Sequence, residues 1–240
     1  MLNFKKVYSI IYKELRYFFF SPVAYIFICI FLVSVGWLFF SRFFLYNQLE
    51  MREFFNILPI VLAFVVPAIT MGLFSEEFSV GSYEVISTTS VSILDIVLGK
   101  FFAAAIFIFI TLLPTLLYPI TLIFLGELDF GPIIGGYFGS IFLISALVSI
   151  GLFSSSLSKS QIVSFIISFA ISVVLSLILG LMKAVTPTFL IDFIDMISFG
   201  TRFSNISKGV VDLRDLIYFL SVTLLGVYLT YQNLELRKID

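Results

Sequence analysis

The stretch NILPIVLAFVVPAITMGLFSEE, residues 56–77, sets the fold class of this chain. Its apolar part carries no charge and is long enough to cross a bilayer core, which needs about 20 apolar residues per helix. The run ends at the adjacent Glu76 and Glu77, and Glu84 follows after Gly81. These carboxylates could form an acid–base pair, a metal or proton site, or a surface that another protein binds.

The composition is that of a polytopic membrane protein. Of the 240 residues, 60% are hydrophobic and 12% are charged, and the mean hydropathy is +1.15. A soluble domain of this length cannot bury so much apolar surface. The net charge of −1 gives no electrostatic basis for binding nucleic acid. The absence of histidine excludes His-based metal sites, bases and proton relays, and the single Cys29 excludes an internal disulfide.

Six apolar runs predict an all-α fold, with six transmembrane helices in a single transmembrane domain that covers residues 1–240. The first run reads as an uncleaved span, because no small-x-small cleavage site follows it. Residues 75–95 and 183–212 form the two longest connections. The predicted spans are 22–41, 56–74, 96–125, 133–153, 162–182 and 213–232.

Helix-start and helix-breaking residues refine these boundaries. We expect kinks or breaks at Pro59 and Pro67 in the second span and at Pro114 and Pro119 in the third. The predicted start signals are Ser21-Pro22 for the first span, capping boxes at Ser92–Asp95 and Ser158–Gln161 for the third and fifth, and Gly131-Pro132 for the fourth.

The N-terminal segment predicts an amphipathic helix over residues 1–21 that lies in the membrane interface. Its apolar side chains recur at helical spacing, and its basic side chains occupy another face; a plain basic topology signal is the alternative. The positive-inside rule places this segment and the C-terminus in the cytoplasm. The apolar positions are Phe4, Val7, Tyr8, Ile11, Leu15 and Phe18, and the polar positions are Lys6, Ser9, Lys13 and Arg16.

The 183–212 connection contains a second amphipathic pattern, which begins at Thr186-Pro187. It predicts one or two short helices over the outer mouth of the bundle, with an ordinary interfacial loop as the alternative. The apolar side holds Phe189, Leu190, Phe193, Ile194 and Ile197, and the other side holds Asp192 and Asp195.

The middle of the predicted spans holds no ionisable side chain, and Arg214 and Asp215 lie at the mouth of the sixth. Proton- or ion-coupled carriers place such groups at mid-membrane, so this absence disfavours secondary active transport. The chain also has no GxxxxGK[ST] motif, so it does not bind ATP through a P-loop. Any energy for uphill transport therefore comes from outside this chain.

Small residues recur at every fourth position in two spans, which permits close helix packing or lines a polar path. We expect packing to be the main role, because a strict four-residue repeat spirals around a helix and cannot face one neighbour throughout. The positions are Ser160, Ser164, Ser168, Ser172, Ser176 and Gly180 in the fifth span, and Gly131, Gly135 and Gly139 at the start of the fourth.

Four segments in order around the six spans resemble permease subunits of ABC type-2 exporters, in the nitrous-oxide-reductase-maturation and gliding-motility branch. The likeness runs nearly end to end. The segments are KELRYFFFSPVAYIF at 13–27, PAITMGLFSEEFSVGSYEVISTTSVS at 67–92 with IVLGKF at 96–101, IGLFSSSLSKSQIVSF at 150–165, and SKGVVDLRDLIYFLSVT at 207–223.

The resemblance implies a dimeric permease core, made with a second copy or a homologue, in the bacterial cytoplasmic (inner) membrane. Separate ATP-binding cassette ATPase subunits would bind ATP and Mg, so this chain has no cofactor and no enzyme activity of its own. An extracytoplasmic accessory protein is a further expected partner. The resemblance also implies that residues 75–95 contain the coupling helix that docks on the ATPase.

Helical geometry narrows the roles of the acidic residues. Neighbours on a helix point about 100° apart, so Glu76 and Glu77 cannot share one proton. Glu77 and Glu84 share a face, and Gly81 between them lets a partner backbone approach or lets the chain turn. We predict a partner contact at Glu76, Glu77, Gly81 and Glu84; a solvated loop end is the alternative.

Three functions remain open from the sequence. The first is an exporter permease driven by its ATPase. The second is a mechanotransmission or anchoring component, whose ATPase drives an extracytoplasmic machine without moving a substrate through the bilayer. The third is a channel or secondary carrier, which the lack of mid-membrane charge disfavours. The substrate is not encoded in any motif.

Overall fold

The computed structural model describes residues 4–46, 51–81, 91–124, 129–182, 194–210 and 212–239, and within these ranges the chain contains helices and no strand. Six helical stretches are long and apolar enough to cross a membrane, which confirms the predicted all-α, multi-pass fold. These stretches are Ala24–Ser41, Arg52–Val80, Ile93–Ile123, Phe130–Leu157, Gln161–Met182 and Leu213–Arg237.

The helices are labelled in chain order. A 3-10 turn, Leu113–Leu116, joins the fifth helix to the sixth, and a π turn, Val174–Ile178, joins the eighth helix to the ninth. The helices are α1 (Phe4–Phe20), α2 (Pro22–Tyr46), α3 (Arg52–Thr70), α4 (Gly72–Val80), α5 (Ile93–Leu112), α6 (Leu117–Ile123), α7 (Phe130–Leu157), α8 (Gln161–Val173), α9 (Leu179–Met182), α10 (Phe199–Ser207) and α11 (Leu213–Ile239).

Several boundary predictions are confirmed. Pro22 is the first residue of α2. The Ser92 hydroxyl accepts a hydrogen bond from the Asp95 N–H at 3.1 Å and caps α5. Pro114 lies in the 3-10 turn that interrupts the third span, as expected for a residue that lacks a backbone donor.

Two predicted start signals need correction. The capping box at Ser158–Gln161 does not form, because α8 begins at Gln161 itself and Ser160 precedes it without a side-chain cap bond. The Ser158 hydroxyl instead accepts from the Ser160 N–H at 3.0 Å, within the turn. The fourth span begins at Phe130 rather than at Gly131, because the Asp129 carboxylate caps it by accepting from the Gly131 N–H at 3.0 Å.

The second span does not break where its prolines fall. Helix α3 runs through Pro59 and Pro67 and ends at Thr70. The interruption comes at Met71, and α4 then continues in the same membrane-length stretch. Glu76 and Glu77 therefore lie on the continuation of the second span rather than in a loop after it.

The spans form an inner and an outer set. Most of the membrane-length stretches formed by α3–α4, α5–α6 and α7 is buried within the chain, whereas less than a third of those in α2, α8–α9 and α11 is buried. Apolar side chains such as Trp37, Ile162 and Leu224 cover the outer set. Lipid tails or another protein chain can cover such faces at no cost in desolvation.

The two ends of the bundle carry different elements. The proximal end, as we name it, joins α1, α4, the start of α5, the end of α7 and the end of α11; Arg237 on α11 bonds the Leu157 carbonyl of α7 there. The distal end joins α10 and the starts of α7 and α11, where Arg202 pairs with Asp215 at 2.7 Å. The even number of spans brings the start of α2 and the end of α11 to this same proximal end.

A short helix, α10, lies in the 183–212 connection, but it begins at Phe199, beyond the amphipathic pattern from which a helix was predicted; of that pattern, residues 194–197 are helical. Helix α10 lies at the distal end and buries Phe199, Phe203 and Ile206. The amphipathic pattern from Thr186 to Phe193 lies outside the described residues, so the short helix predicted there stays a prediction.

The glycine stripe of the fourth span packs against α10. A Cβ at Gly135 would lie 2.5 Å from the Ile206 carbonyl oxygen, and one at Gly139 would lie 2.8 Å from the Ile206 side chain. A Cβ at Gly209, just after α10, would similarly approach the backbone of Gly131 at 3.0 Å. These contacts favour the packing role over a polar path, because α10 packs directly against the glycine stripe.

The close approach at Gly135 gives a direct test. Gly135→Ala is expected to lower the free energy of unfolding by about 1–3 kcal/mol, because the methyl group meets backbone that cannot rotate away. The matched control is Gly180→Ala, where a Cβ would meet nothing within 4 Å; it is expected to be neutral or stabilising by up to about 1 kcal/mol. Unfolding in detergent micelles, followed by circular dichroism, measures both. Equal stabilities would contradict the packing role.

Candidate functional site

A buried lysine lies at the proximal end of the bundle. Lys100, near the start of α5, is 2% exposed. Its Nζ lies 2.8 Å from Glu77 Oε1, 3.2 Å from Glu14 Oε1 and 2.7 Å from the Leu73 carbonyl oxygen. An ammonium has three N–H donors, so each of them has an acceptor here. We refer to Lys100, Glu14 and Glu77 as the ion cluster.

Close packing of α1 on α5 brings the ion cluster together. A Cβ at Gly99 would lie 2.6 Å from Ile10 Cγ2, so only glycine lets α1 lie this close to α5. Glu14 follows Ile10 by about one turn and is itself 7% exposed. Val7 and Phe18 are buried on the same side of α1. The N-terminal helix is thus a packed part of the bundle as well as an amphipathic segment.

The ion cluster joins three elements by charge. One ammonium faces two carboxylates, and the Phe74 ring lies 5.3 Å from Lys100 Nζ in cation–π geometry. A buried ion costs several kcal/mol in desolvation unless it is paired and hydrogen bonded. The net stabilisation is therefore modest, but an arrangement that separates α1, α4 or α5 leaves a buried charge uncompensated.

Glu76 belongs to a separate contact. Its carboxylate lies 3.3 Å (Oε1) and 3.4 Å (Oε2) from the Tyr17 hydroxyl on α1, which donates to it. Partial burial, together with the Glu76 charge, raises the pKa of the Tyr17 phenol above its ordinary value of 10.0. Glu76 and Glu77 thus engage different partners, as helical geometry predicts.

A serine from α7 holds the junction between α3 and α4. The Ser155 hydroxyl accepts from the N–H groups of Phe74 and Ser75, at 2.9 and 3.1 Å, and donates to the Met71 carbonyl at 2.8 Å. The first N–H groups of a helix have no partner within the helix. Ser155 supplies that partner from a neighbouring span and so fixes the start of α4.

The last helix completes the proximal end. The Asn233 amide of α11 donates to the Ser156 carbonyl of α7 at 2.7 Å. The Arg237 guanidinium donates to the Leu157 carbonyl at 2.8 Å and lies 4.6 Å from the centre of the Phe78 ring of α4. Helix α4 is consequently bound to α1, α5, α7 and α11.

The predicted contact residues fall into three environments. Glu76 and Glu77 point toward α1 and α5. Gly81 is exposed and ends α4 in the left-handed conformation, with φ of 75°, which glycine adopts without strain. Glu84 lies outside the described residues. Within the described ranges no three acidic or cysteine side chains converge as metal ligands would.

The serine stripe of the fifth span is buried at its centre and exposed at its ends. Ser164, Ser168 and Ser172 are fully buried and Ser176 is 6% exposed, whereas Ser160 and Gly180 are exposed. The π turn at Val174–Ile178 underwinds the helix and so offsets the spiral of the four-residue repeat. At Ser176 the backbone carbonyl lies against α10, where a Cβ on Gly200 would approach it to 2.7 Å. This placement also favours packing.

Three residues of this site were not predicted from the sequence. Lys100 lies inside the third predicted span, close to its start, and Glu14 and Ser155 lie within segments that carry the family resemblance. A lysine directly after a glycine in an apolar run was the available signal, since an intramembrane charge needs a partner. Glu14 gave no comparable signal, because acidic residues are ordinary on an interfacial helix.

A cavity of about 580 Å³ opens beside the ion cluster. It lies between α1, the start of α2, the α3–α4 junction and α5. Its polar wall includes the ion cluster, Lys13, Tyr17 and Glu76, and its apolar wall includes Phe18, Ala24, Ala68, Ile69 and Phe107.

The comparisons with known proteins add no family. No family model matches the chain, and no curated protein is significantly similar to it.

Removal of the buried ammonium tests the ion cluster. Lys100→Met is expected to lower the free energy of unfolding by about 3 kcal/mol, because two buried carboxylates lose their counterion. Lys159→Met, at an exposed lysine near the same end, should change it by no more than about 0.5 kcal/mol. Denaturant unfolding in detergent micelles gives both values. Addition of Glu14→Gln and Glu77→Gln to Lys100→Met should recover part of the lost stability, because the uncompensated carboxylates are then removed. Equal losses of stability for Lys100→Met and Lys159→Met would contradict the role of the ion cluster.

Ser155 is tested separately. Ser155→Ala should lower the free energy of unfolding by about 1–3 kcal/mol, since it leaves buried backbone groups of α4 without partners. Amide hydrogen exchange at Phe74 and Ser75 should accelerate with it. Ser145→Ala on the same helix, where the hydroxyl bonds only the Ile141 carbonyl within α7, is the control. Unchanged exchange at both amides would contradict the capping role.

Proposed function

We propose that this chain is the membrane-spanning permease subunit of an ATP-binding cassette exporter, driven by separate ATPase subunits. The observation that carries the proposal is the attachment of α4 to four other helices at the proximal end. An exposed tip, Ser79–Gly81, projects from this attached helix. A helix that is open at its tip and fixed along its length suits the transmission of force from a partner into the spans.

The charge distribution supports an external source of energy. The described ionisable groups within the spans lie toward their ends; the buried Lys100 lies toward the proximal end and the buried Asp215 at the distal end, and these two are paired. Lys100 has all three of its donors engaged, so the ion cluster itself offers no open position for a transported proton or inorganic cation. In this proposal, ATP hydrolysis in a partner supplies the energy for transport.

The connections of α4 suggest how coupling works. A push on the tip moves α4 against α5 and α1 through the ion cluster, and against α7 through Ser155. Because separation of the charges is costly, these helices move together rather than shear apart. In this proposal Glu76 and Glu77 hold the coupling element in place, and residues 79–81 with Glu84 meet the ATPase.

The proposal includes an orientation and an assembly. The proximal end, which carries Lys5, Lys6, Lys13 and Arg16, faces the cytoplasm of a bacterial cell under the positive-inside rule. The exposed apolar faces of α2, α8 and α11 offer surface for lipid and for a second permease chain.

A charge at the exposed tip tests the ATPase contact. The tagged chain is purified from its native membranes, and a P-loop ATPase is identified in the complex by mass spectrometry and by ATP hydrolysis. Val80→Arg is expected to lower the recovered ATPase at least about tenfold, since an unpaired charge in an interface costs more than about 1.4 kcal/mol. Val210→Arg, at an exposed valine of the distal end, is the matched control.

The same complex separates the alternatives. Substrate-dependent flux in proteoliposomes with ATP supports export, whereas hydrolysis stimulated only by an extracytoplasmic partner indicates mechanotransmission. A complex that lacks any ATPase, or flux that needs no ATP, would overturn the proposal.

A further inference from the structure

The cavity at the proximal end is amphipathic along its length. Lys100 lines one part of it and Phe107 another, seven residues further along α5. At 1.5 Å per residue these two levels are about 10 Å apart along the helix axis. The polar level lies near the end of the spans, and the apolar level lies deeper among them.

The polar level has an excess of negative charge. Its lining holds Glu14, Glu76 and Glu77 against Lys13 and Lys100, which gives a formal charge of −1 (two positive, three negative). Lys100 is held by Glu14 and Glu77, and Lys13 lies 3.7 Å from Glu14. Within the described ranges, Glu76 has a phenol as its side-chain donor and no cation within 4.0 Å.

The apolar level is lined by packed side chains. Phe18, Ala24, Ile69 and Phe107 are at most 9% exposed. Hydrocarbon can occupy such a space favourably, because each methylene that enters it leaves water. The volume of about 580 Å³ falls within the range of small-molecule sites.

We propose that this cavity binds an amphiphile with a primary ammonium head and a hydrocarbon tail. The ammonium donates to Glu76 at the polar level, and the tail lies between α2, α3 and α5. An anionic head would meet the surplus carboxylate, and a basic peptide would leave the apolar level empty. The ligand class is thus an alkylammonium, whether a free amine or the head of an aminophospholipid. The proposal is independent of the ATPase, because the site lies within one chain.

The test uses the full chain alone, in detergent, with native mass spectrometry at neutral pH. Dodecylamine is titrated as the probe. Dodecanol has the same tail without the charge, and butylamine has the same head with a short tail. One dodecylamine per chain is expected, bound about tenfold more tightly than dodecanol and more tightly than butylamine, because the charged contact and the buried tail both contribute.

Two variants address the two levels. Glu76→Gln should weaken the binding of dodecylamine about tenfold and leave the binding of dodecanol unchanged. Ala68→Trp should weaken both by filling the apolar level. Glu235→Gln on α11 removes the same charge from an exposed site outside the cavity and should change neither affinity. Monodisperse elution checks folding, and if one variant fails this check, the other decides the outcome.

The remaining arms identify the source and the limits. Retention of phosphatidylethanolamine over phosphatidylglycerol from mixed lipid discs, lost in Glu76→Gln, assigns the site to a membrane lipid. Binding of dodecylamine without such retention assigns it to a free amine. The proposal would be overturned if dodecylamine and dodecanol bound with equal affinity, or if neither variant changed binding. It would also be overturned if tetralysine competed with the probe as well as dodecylamine itself does.

Discussion

A buried ammonium must be paired, and the arrangement of the proximal end follows from that constraint. Lys100 enters the bundle on α5 with its side chain out of contact with water, so it requires acceptors from whatever packs around it. Glu14, Glu77 and the Leu73 carbonyl supply them from α1 and α4. The three elements are therefore placed relative to one another by charge as well as by apolar contact, which is non-directional and would tolerate rotation or sliding.

The interruption at Met71 gives the second span two parts with different neighbours. Helix α3 is packed among apolar side chains, whereas α4 carries the carboxylates and ends at an exposed glycine. Ser155 keeps this junction from exposing unpaired backbone, because one hydroxyl accepts from α4 and donates to the residue at the break. A junction satisfied from outside its own helix depends on the position of α7. Movement of α4 is thereby linked to the span that makes the core of the bundle.

The cavity forms between a set of polar contacts and a set of apolar contacts that hold the surrounding helices at different levels. The ion cluster and Tyr17 draw α1 toward α4 and α5 on the polar side, while Phe18 and Phe107 stack at 4.9 Å between ring centres deeper in. Small side chains at Ala24 and Ala68 leave the space between these contacts unfilled. Both the proposed coupling role of α4 and the proposed ligand site use this one region, where charge and hydrocarbon meet at the expected level of the membrane surface.

The sequence by itself determined the number of spans, the all-α class and many helix starts, because bilayer thickness and capping chemistry act locally along the chain. The Ser92 cap and the break at Pro114 needed only neighbouring residues to be predicted. The capping box at Ser158 failed for the converse reason: the local motif allowed it, but the chain turns there and α8 starts later. Tertiary structure alone decided the partners of Glu14, Glu76, Glu77 and Ser155. These residues meet groups far away in the sequence, and a charge or hydroxyl carries no information about which distant helix will be packed against it.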